Sequence, residues 1–374
     1  MTPAAPTLSD VPFVALDREN GEIAGELAAA LDRVVRRSAF ILGDELGQFE
    51  AGWAHACGTA HCVGTASGTA ALTLLLRAAG IGRGDEVVVP AHTYIASALA
   101  VVHAGAVPVL CDVDDSTGLL DPAAAAAAIG PRTAAIMAVH LYGQLCDMRA
   151  LSRLAARHGL ALVEDAAQAH GAEYDGRRAG GFGIGAAFSF YPSKNLGALG
   201  DGGAVCTDHA DIADRVRELR DLGQRRKGEH VALGANERLD GLQAAFLSVK
   251  LPRLEAANEA RRGHAAAYRE RLEGSVGLLE ERPVSPCVYH VFPVRLPMRD
   301  AAAAQLRARG IGVGLHYSPA LHRQPALDGH VRAAGPLPNA EAWAAQELSL
   351  PMSPGLHAGE IERAAEEVLS CVDR

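Results

Sequence analysis

Between residues 60 and 250 the chain alternates short, unbroken apolar runs with longer stretches whose apolar positions recur at helical spacing. Glu86–Pro90, Val107–Val113, Ala134–Val139, Leu160–Glu164 and Ala186–Phe190 are the apolar runs, and their length and β-branched content predict strands. None alternates apolar with polar residues, so both faces of each strand must be covered. Ile95–Ala104, Pro122–Ile129 and Met148–His158 supply the covering helices. The alanine run at 123–128 reads as a surface helix, since alanine is the best helix former and Asp121-Pro122 is a good helix start. The pattern predicts an α/β fold with a mostly parallel central sheet and crossover helices.

A further helix, Leu239–Leu251, ends at Pro252. Beyond it, charged helical segments (Arg253–Leu272, Ala301–Arg309) flank a short strand, His290–Leu296. Residues 1–250 are therefore expected to form a large domain and 251–374 a smaller C-terminal α+β domain, without a flexible linker. There is no internal repeat.

Composition narrows the function classes. A formal charge of −9 and scattered Arg-Arg pairs argue against a nucleic-acid surface. No apolar run approaches the ~20 residues that span a bilayer. The opening MTPAAPTLSD has neither the basic nor the apolar region of a secretory signal. Seven cysteines, an odd number with no CxxC pair, suit reduced thiols in a cytoplasm, and His61-Cys62 lacks further ligands at zinc spacing.

Three stretches carry chemistry. The chain has three lysines (Lys194, Lys227, Lys250) against 32 arginines, and Lys194 is the only one in the first 226 residues. A primary amine condenses with an aldehyde to an imine, whereas a guanidinium stays protonated. Most lysines are solvated surface groups, but this one follows directly on a predicted strand, where open α/β sheets gather their ligands. The second stretch, ALVEDAAQAHG (161–171), delivers Asp165 to the end of a buried strand. A carboxylate there needs a cation such as a protonated pyridine nitrogen, or else it caps the next helix. The third, GTASGTAALTLLLRAAG (64–80), leads small residues into an amphipathic helix ending at Gly80, a seat for a phosphate on free amides. The dinucleotide fingerprint does not fit, since Gly64 and Gly68 have the wrong spacing and Gly200, Gly202 and Gly203 precede a strand.

Over nearly its full length the chain resembles the nucleotide-sugar aminotransferases of the DegT type. These are fold-type-I enzymes, aspartate-aminotransferase-like, dependent on pyridoxal 5'-phosphate (PLP). The resemblance rests on SGTAAL (67–72), GRGDEVVVPAHTY (82–94), AVHLYGQLCDM (138–148), VEDAAQAHGAEYDGRRAGGFG (163–183), FSFYPSKNLGALGDGG (188–203), GANERLDGLQAA (234–245) and GIGVGLHYSPALHRQ (310–324), in this order. It implies that Lys194 joins PLP through an imine and shuttles protons, that Asp165 pairs with the pyridinium, and that Gln168 bonds near the phenolic oxygen. It further implies that Tyr94 stacks on the ring, and that Gly68, Thr69 and Ser189 hold the phosphate. Asn236 is expected to reach the phosphate of a neighbouring subunit, making a homodimer with shared active sites. Tyr191, His316 and Tyr317 would lie near the hexose. A dehydratase branch has histidine in place of the lysine, and a branch acting on a ring ketone has histidine where Gln168 stands. KNLGALGDGGA most resembles enzymes that aminate carbon 3 of a dTDP-linked 3-keto-6-deoxyhexose with L-glutamate as donor. That subgroup usually has glycine where this chain has Ser193, and amination at carbon 4 of a 4-keto sugar is the alternative.

Overall fold

The computed structural model describes residues 10–372, so the stretch read for a secretory signal lies, apart from Asp10, outside the described residues. Seven strands of the large sheet come from the first part of the chain: β1 (His61–Thr65), β2 (Glu86–Pro90), β3 (Val107–Cys111), β4 (Thr133–Val139), β5 (Ala161–Asp165), β6 (Gly185–Ser189) and β7 (Gly203–Thr207). A two-residue strand, β8 (Arg332–Ala333), completes the order β1-β7-β6-β5-β4-β2-β3-β8. From β6 to β8 the neighbours run parallel, while β7 is antiparallel to both β1 and β6. This is the mostly parallel sheet expected from the apolar runs, and β2 is buried along its whole length.

The departures from the expected boundaries have local causes. β3 stops at Cys111 because the next residue, Asp112, turns its carboxylate onto the backbone N–H groups of Asn339 and Ala340. Helix Gly68–Ala78 ends two residues before Gly80, whose positive φ of 76° takes the chain out of the helix. Pro252 does not break the chain after helix Gly241–Lys250; it sits in a single 3-10 turn, Leu251–Arg253, that leads into helix Leu254–Leu272.

After residue 250 a three-stranded antiparallel sheet forms from Gly277–Leu278, Phe292–Arg295 and Glu347–Leu350. Two connections cross this position. β8 joins the edge of the large sheet, and near the amino terminus Val11 pairs with Ile311 while the Phe13 carbonyl accepts from Met352. Among the described residues no helix is long and apolar enough to cross a membrane.

An aromatic cluster supports the strand that leads to Lys194. Trp53 meets Phe188 and Phe190 edge-to-face at 5.0 and 5.7 Å, and Phe49 meets Phe190 at 5.2 Å. Edge-to-face pairs add about 0.5–1.5 kcal/mol each beyond area burial, which anchors this end of the sheet.

Candidate active site

Parallel strands of an open sheet present their carboxyl ends along one edge, and the chemistry collects there. Asp165 is the last residue of β5 and Ser189 the last of β6, and His140 directly follows β4. Along this edge lies a cavity of about 500 Å3, within the range of small-molecule sites. It is lined by Gly68, Thr69, Tyr94, Asp165, Gln168, Ser189, Tyr191, Lys194, His316 and Tyr317, so ten of the eleven residues singled out from sequence meet there. Asn236 does not: it is exposed on a loop whose backbone bridges Asp221.

Lys194 is reached by a loop that folds back on the sheet. Its backbone N–H donates to the Tyr191 carbonyl (2.8 Å), and the Asn195 amide donates to Asn258 Oδ1 (2.8 Å) and the Val288 carbonyl (2.9 Å). The side-chain Nζ lies 3.3 Å from His290 Nε2. Burial lowers the lysine to about 8, against an opposing pull from the Asp165 charge. At pH 8 half of the amine is then neutral, compared with about one part in 300 for an ordinary lysine. Burial, followed by the Lys194 charge, holds His290 well below its usual range, so it faces the amine as a neutral ring.

Asp165 is 6% exposed. Ser97 Oγ donates to its Oδ2 at 2.7 Å, and the Ala167 N–H donates to Oδ1 at 3.2 Å. Thr93 Oγ1 sits 3.0 Å from Ser97 and extends the chain of hydroxyls. Burial nevertheless raises the carboxyl above its ordinary value, as expected for a buried acid to which no cation is hydrogen-bonded among the described residues.

The helix start is pressed against the sheet. A Cβ on Gly68 would sit 2.7 Å from Ser189 Cβ, and one on Gly203 would sit 2.3 Å from the Ser67 backbone. Only glycine allows this approach, which sets first-turn amides beside the Ser189 hydroxyl. Ser67 caps the helix by accepting from the Ala70 N–H (3.1 Å), leaving the earlier amides for an anion.

The opposite wall comes from residues 316 and 317. Gln168 accepts from the Tyr142 N–H (2.6 Å) and donates to the Tyr317 hydroxyl (2.9 Å), which leaves one amide hydrogen free. Tyr94 is 54% exposed, and its ring centroid lies 5.0 Å from that of Tyr317. The Tyr142 hydroxyl donates to the His316 carbonyl (2.8 Å).

Sequence reading missed Ser97, Tyr142, His140 and His290. Ser97 carried a signal, being in the first turn of the helix that follows the AHTY stretch. His290 carried none, because its place beside Lys194 arises from a contact across 96 residues. His140, paired with Glu164 at 2.9 Å, lies fully buried behind the site.

These residues fit PLP on structural grounds: a neutralisable amine, a buried carboxylate short of a cation, and a helix start tight enough to seat a phosphate. A fold of this type with that arrangement is a fold-type-I PLP enzyme. The DegT/DnrJ/EryC1/StrS aminotransferase profile matches residues 22–369, and the chain belongs to that family. It is a PLP-dependent sugar aminotransferase. It is 47% identical, over 97% of each chain, to the dTDP-3-amino-3,4,6-trideoxy-alpha-D-glucose transaminase of Streptomyces venezuelae. The structure of S. venezuelae DesV in complex with a ketimine intermediate superposes with a TM-score of 0.95 at 47% identity, covering 98% of this chain and 100% of that one. NtdA from Bacillus subtilis with bound cofactor PMP has a TM-score of 0.91 at 29% identity, covering 100% of this chain and 87% of its own.

Proposed function

We propose that the protein transfers an amino group from L-glutamate to carbon 3 of a dTDP-linked 3-keto-6-deoxyhexose. The observation that carries this reading is the likeness over 97% of the chain to a relative whose product bears a 3-amino group, combined with a polar wall facing Lys194. Bound PLP supplies the electron sink. Lys194 Nζ, neutral above about pH 8, takes the α-proton of the amino donor and returns a proton to the sugar carbon in the second half of the cycle. Asp165 accepts the ring N–H and keeps the pyridine nitrogen protonated. The Gly68 and Thr69 amides and the Ser189 hydroxyl bind the phosphate, and the free hydrogen of Gln168 bonds the phenolic oxygen. Tyr94, on the cavity wall beside Tyr317, would cover the ring. Tyr191 and the segment after residue 250, which we read as a smaller domain bringing His316 and Tyr317, hold the hexose.

The active unit in this reading is a homodimer in which Asn236 completes the partner's phosphate seat. Asn236 shares its loop with Leu233, which is 89% exposed, and the exposed Phe40 and Ile41 supply further apolar surface of the kind that interfaces cover. All seven cysteines are free, which suits a reducing cytoplasm. Incubation with glutamate and a panel of dTDP-3-keto and dTDP-4-keto hexoses, with products located by NMR, tests the reading. A 3-amino product is expected, and amination of only the 4-keto sugars would overturn it.

A further inference from the structure

His316 lines the cavity, and a chain of hydrogen bonds runs behind it into the protein. The strand Glu347–Leu350 carries two polar residues on one face, Glu347 (1% exposed) and Ser349 (0%). Glu347 Oε2 accepts the backbone N–H of His316 at 2.5 Å, and Oε1 accepts the hydroxyl of Ser349 at 2.5 Å. Ser349 Oγ in turn lies 2.9 Å from His316 Nδ1. The ring stacks on Phe13 at 5.7 Å with 12° between the planes, so it has little freedom to turn over. Among the described residues Nε2 has no hydrogen-bond partner and, unlike the orphaned nitrogens of His92, His170 and His290, it is not sealed from solvent.

The tautomer of His316 follows from counting hydrogens. Burial, then the Lys194 charge, lowers the ring to about 4, so at working pH it is neutral and carries one N–H. A carboxylate only accepts. Both Glu347 oxygens are occupied, so the single proton of Ser349 points at Glu347, and Ser349 can only accept from the ring. Nδ1 must then hold the hydrogen, and Nε2 is left as a bare acceptor. Burial raises Glu347 to about 7 against the pull of Ser349, the His316 amide and Arg299. The groups around it are the Arg299 guanidinium, His316 and the phenols of Tyr142 and Tyr317. Above neutral pH it is ionised and the count holds.

We propose that Glu347 and Ser349 are positioning residues that fix His316 with Nδ1 protonated and present Nε2 to the cavity as an acceptor for a hydroxyl of the sugar substrate. This rests on the reading of His316 as part of the sugar wall. Glu347→Gln inverts the relay without changing its shape. The amide oxygen stays on the His316 N–H, the amide NH2 faces Ser349, the hydroxyl turns to donate to Nδ1, and Nε2 acquires the hydrogen.

The test uses the full-length holoenzyme labelled with 15N-histidine, at pH 8.5. The His316 signals are assigned by their loss in His316→Gln. In the wild type the protonated-type nitrogen is expected to be Nδ1, and in Glu347→Gln it should be Nε2. A wild-type ring protonated at Nε2, or no change in Glu347→Gln, overturns the relay. The two half-reactions provide the second readout. The KM for keto sugar should rise about tenfold in Glu347→Gln and in Ser349→Ala, as for one lost hydrogen bond. The glutamate half-reaction should stay within about twofold, and Ser349→Thr, which keeps the hydroxyl, should restore sugar binding. An inverted tautomer with unchanged sugar KM would overturn the assigned role toward the sugar. Should the product panel reject the carbon-3 reading, the NMR result still decides the relay. If Glu347→Gln does not fold, the wild-type tautomer and Ser349→Ala decide it between them.

Discussion

The floor of the cavity and its wall are built in different ways. Asp165, Ser189 and Lys194 lie within thirty residues of one another, at the ends of two neighbouring strands and in the loop that follows. The wall at His316 is assembled from four distant pieces of chain. Tyr142 stands 174 residues away, Ser349 and Glu347 reach it from 33 and 31 residues ahead, and Phe13 comes from near the other end of the chain. Rigid strand ends suit chemistry that is the same for every substrate of the family. A wall made of separate segments can be altered piece by piece without disturbing the floor, which suits substrate choice.

Several substitutions break or sharpen this contrast. The largest effect is expected from Lys194→Ala, which in the proposed cycle removes the proton carrier common to both halves. Formation of 2-oxoglutarate should fall by about four orders of magnitude, the upper end for such a group. Asp165→Asn is expected to slow the glutamate half-reaction about a hundredfold, reflecting ~3 kcal/mol for a buried charge left unpaired. The same variant tests the electrostatics of the floor. Lys194 is depressed by burial and raised by Asp165, so it sheds its proton as pH rises through about 8. Capture of PLP by the apoenzyme should therefore speed up between pH 7 and 9, and loss of the Asp165 charge should move that midpoint downward. A midpoint near the usual lysine value would contradict the burial argument.

Ser97→Ala deletes a hydrogen bond to a charged acceptor, worth about 1.5–3 kcal/mol. PLP affinity, followed by fluorescence quenching, should weaken at least tenfold and return with Ser97→Thr. At the wall, Gly314→Ala places a Cβ 2.7 Å from His316 Cε1. Overpacking of this kind costs about 1–3 kcal/mol and should displace the ring, raising the KM for keto sugar while PLP binding holds.

Legibility in the sequence followed the same division. Asp165, Lys194 and the helix start were found because each belongs to a short local pattern (an apolar run ending in Asp165, a small-residue helix start, a lone lysine after a strand), whereas Ser189 came only with the family resemblance. The large sheet was legible for the same reason, since strands buried on both faces are continuous apolar runs. β1 was not, because HCVGT is mixed in character and gains its burial from the antiparallel partner β7. The wall residues were reached only through family resemblance. Glu347 and Ser349 were not reached at all, because on paper ELSL is an ordinary alternating strand. Their importance appears only once the strand is laid against residue 316. Ser97 and His290 fall between these cases: one sat unread beside a motif, and the other is defined purely by a long-range contact.

The separation of floor from wall is tested most directly by measuring the glutamate and keto-sugar half-reactions individually in His316→Gln. The glutamate half-reaction should remain within about twofold of wild type, while the keto-sugar half-reaction should slow about thirtyfold, in the range expected for a misplaced reacting carbon. An equal fall in both would mean that His316 serves the cofactor or the fold and that the division between floor and wall is wrong.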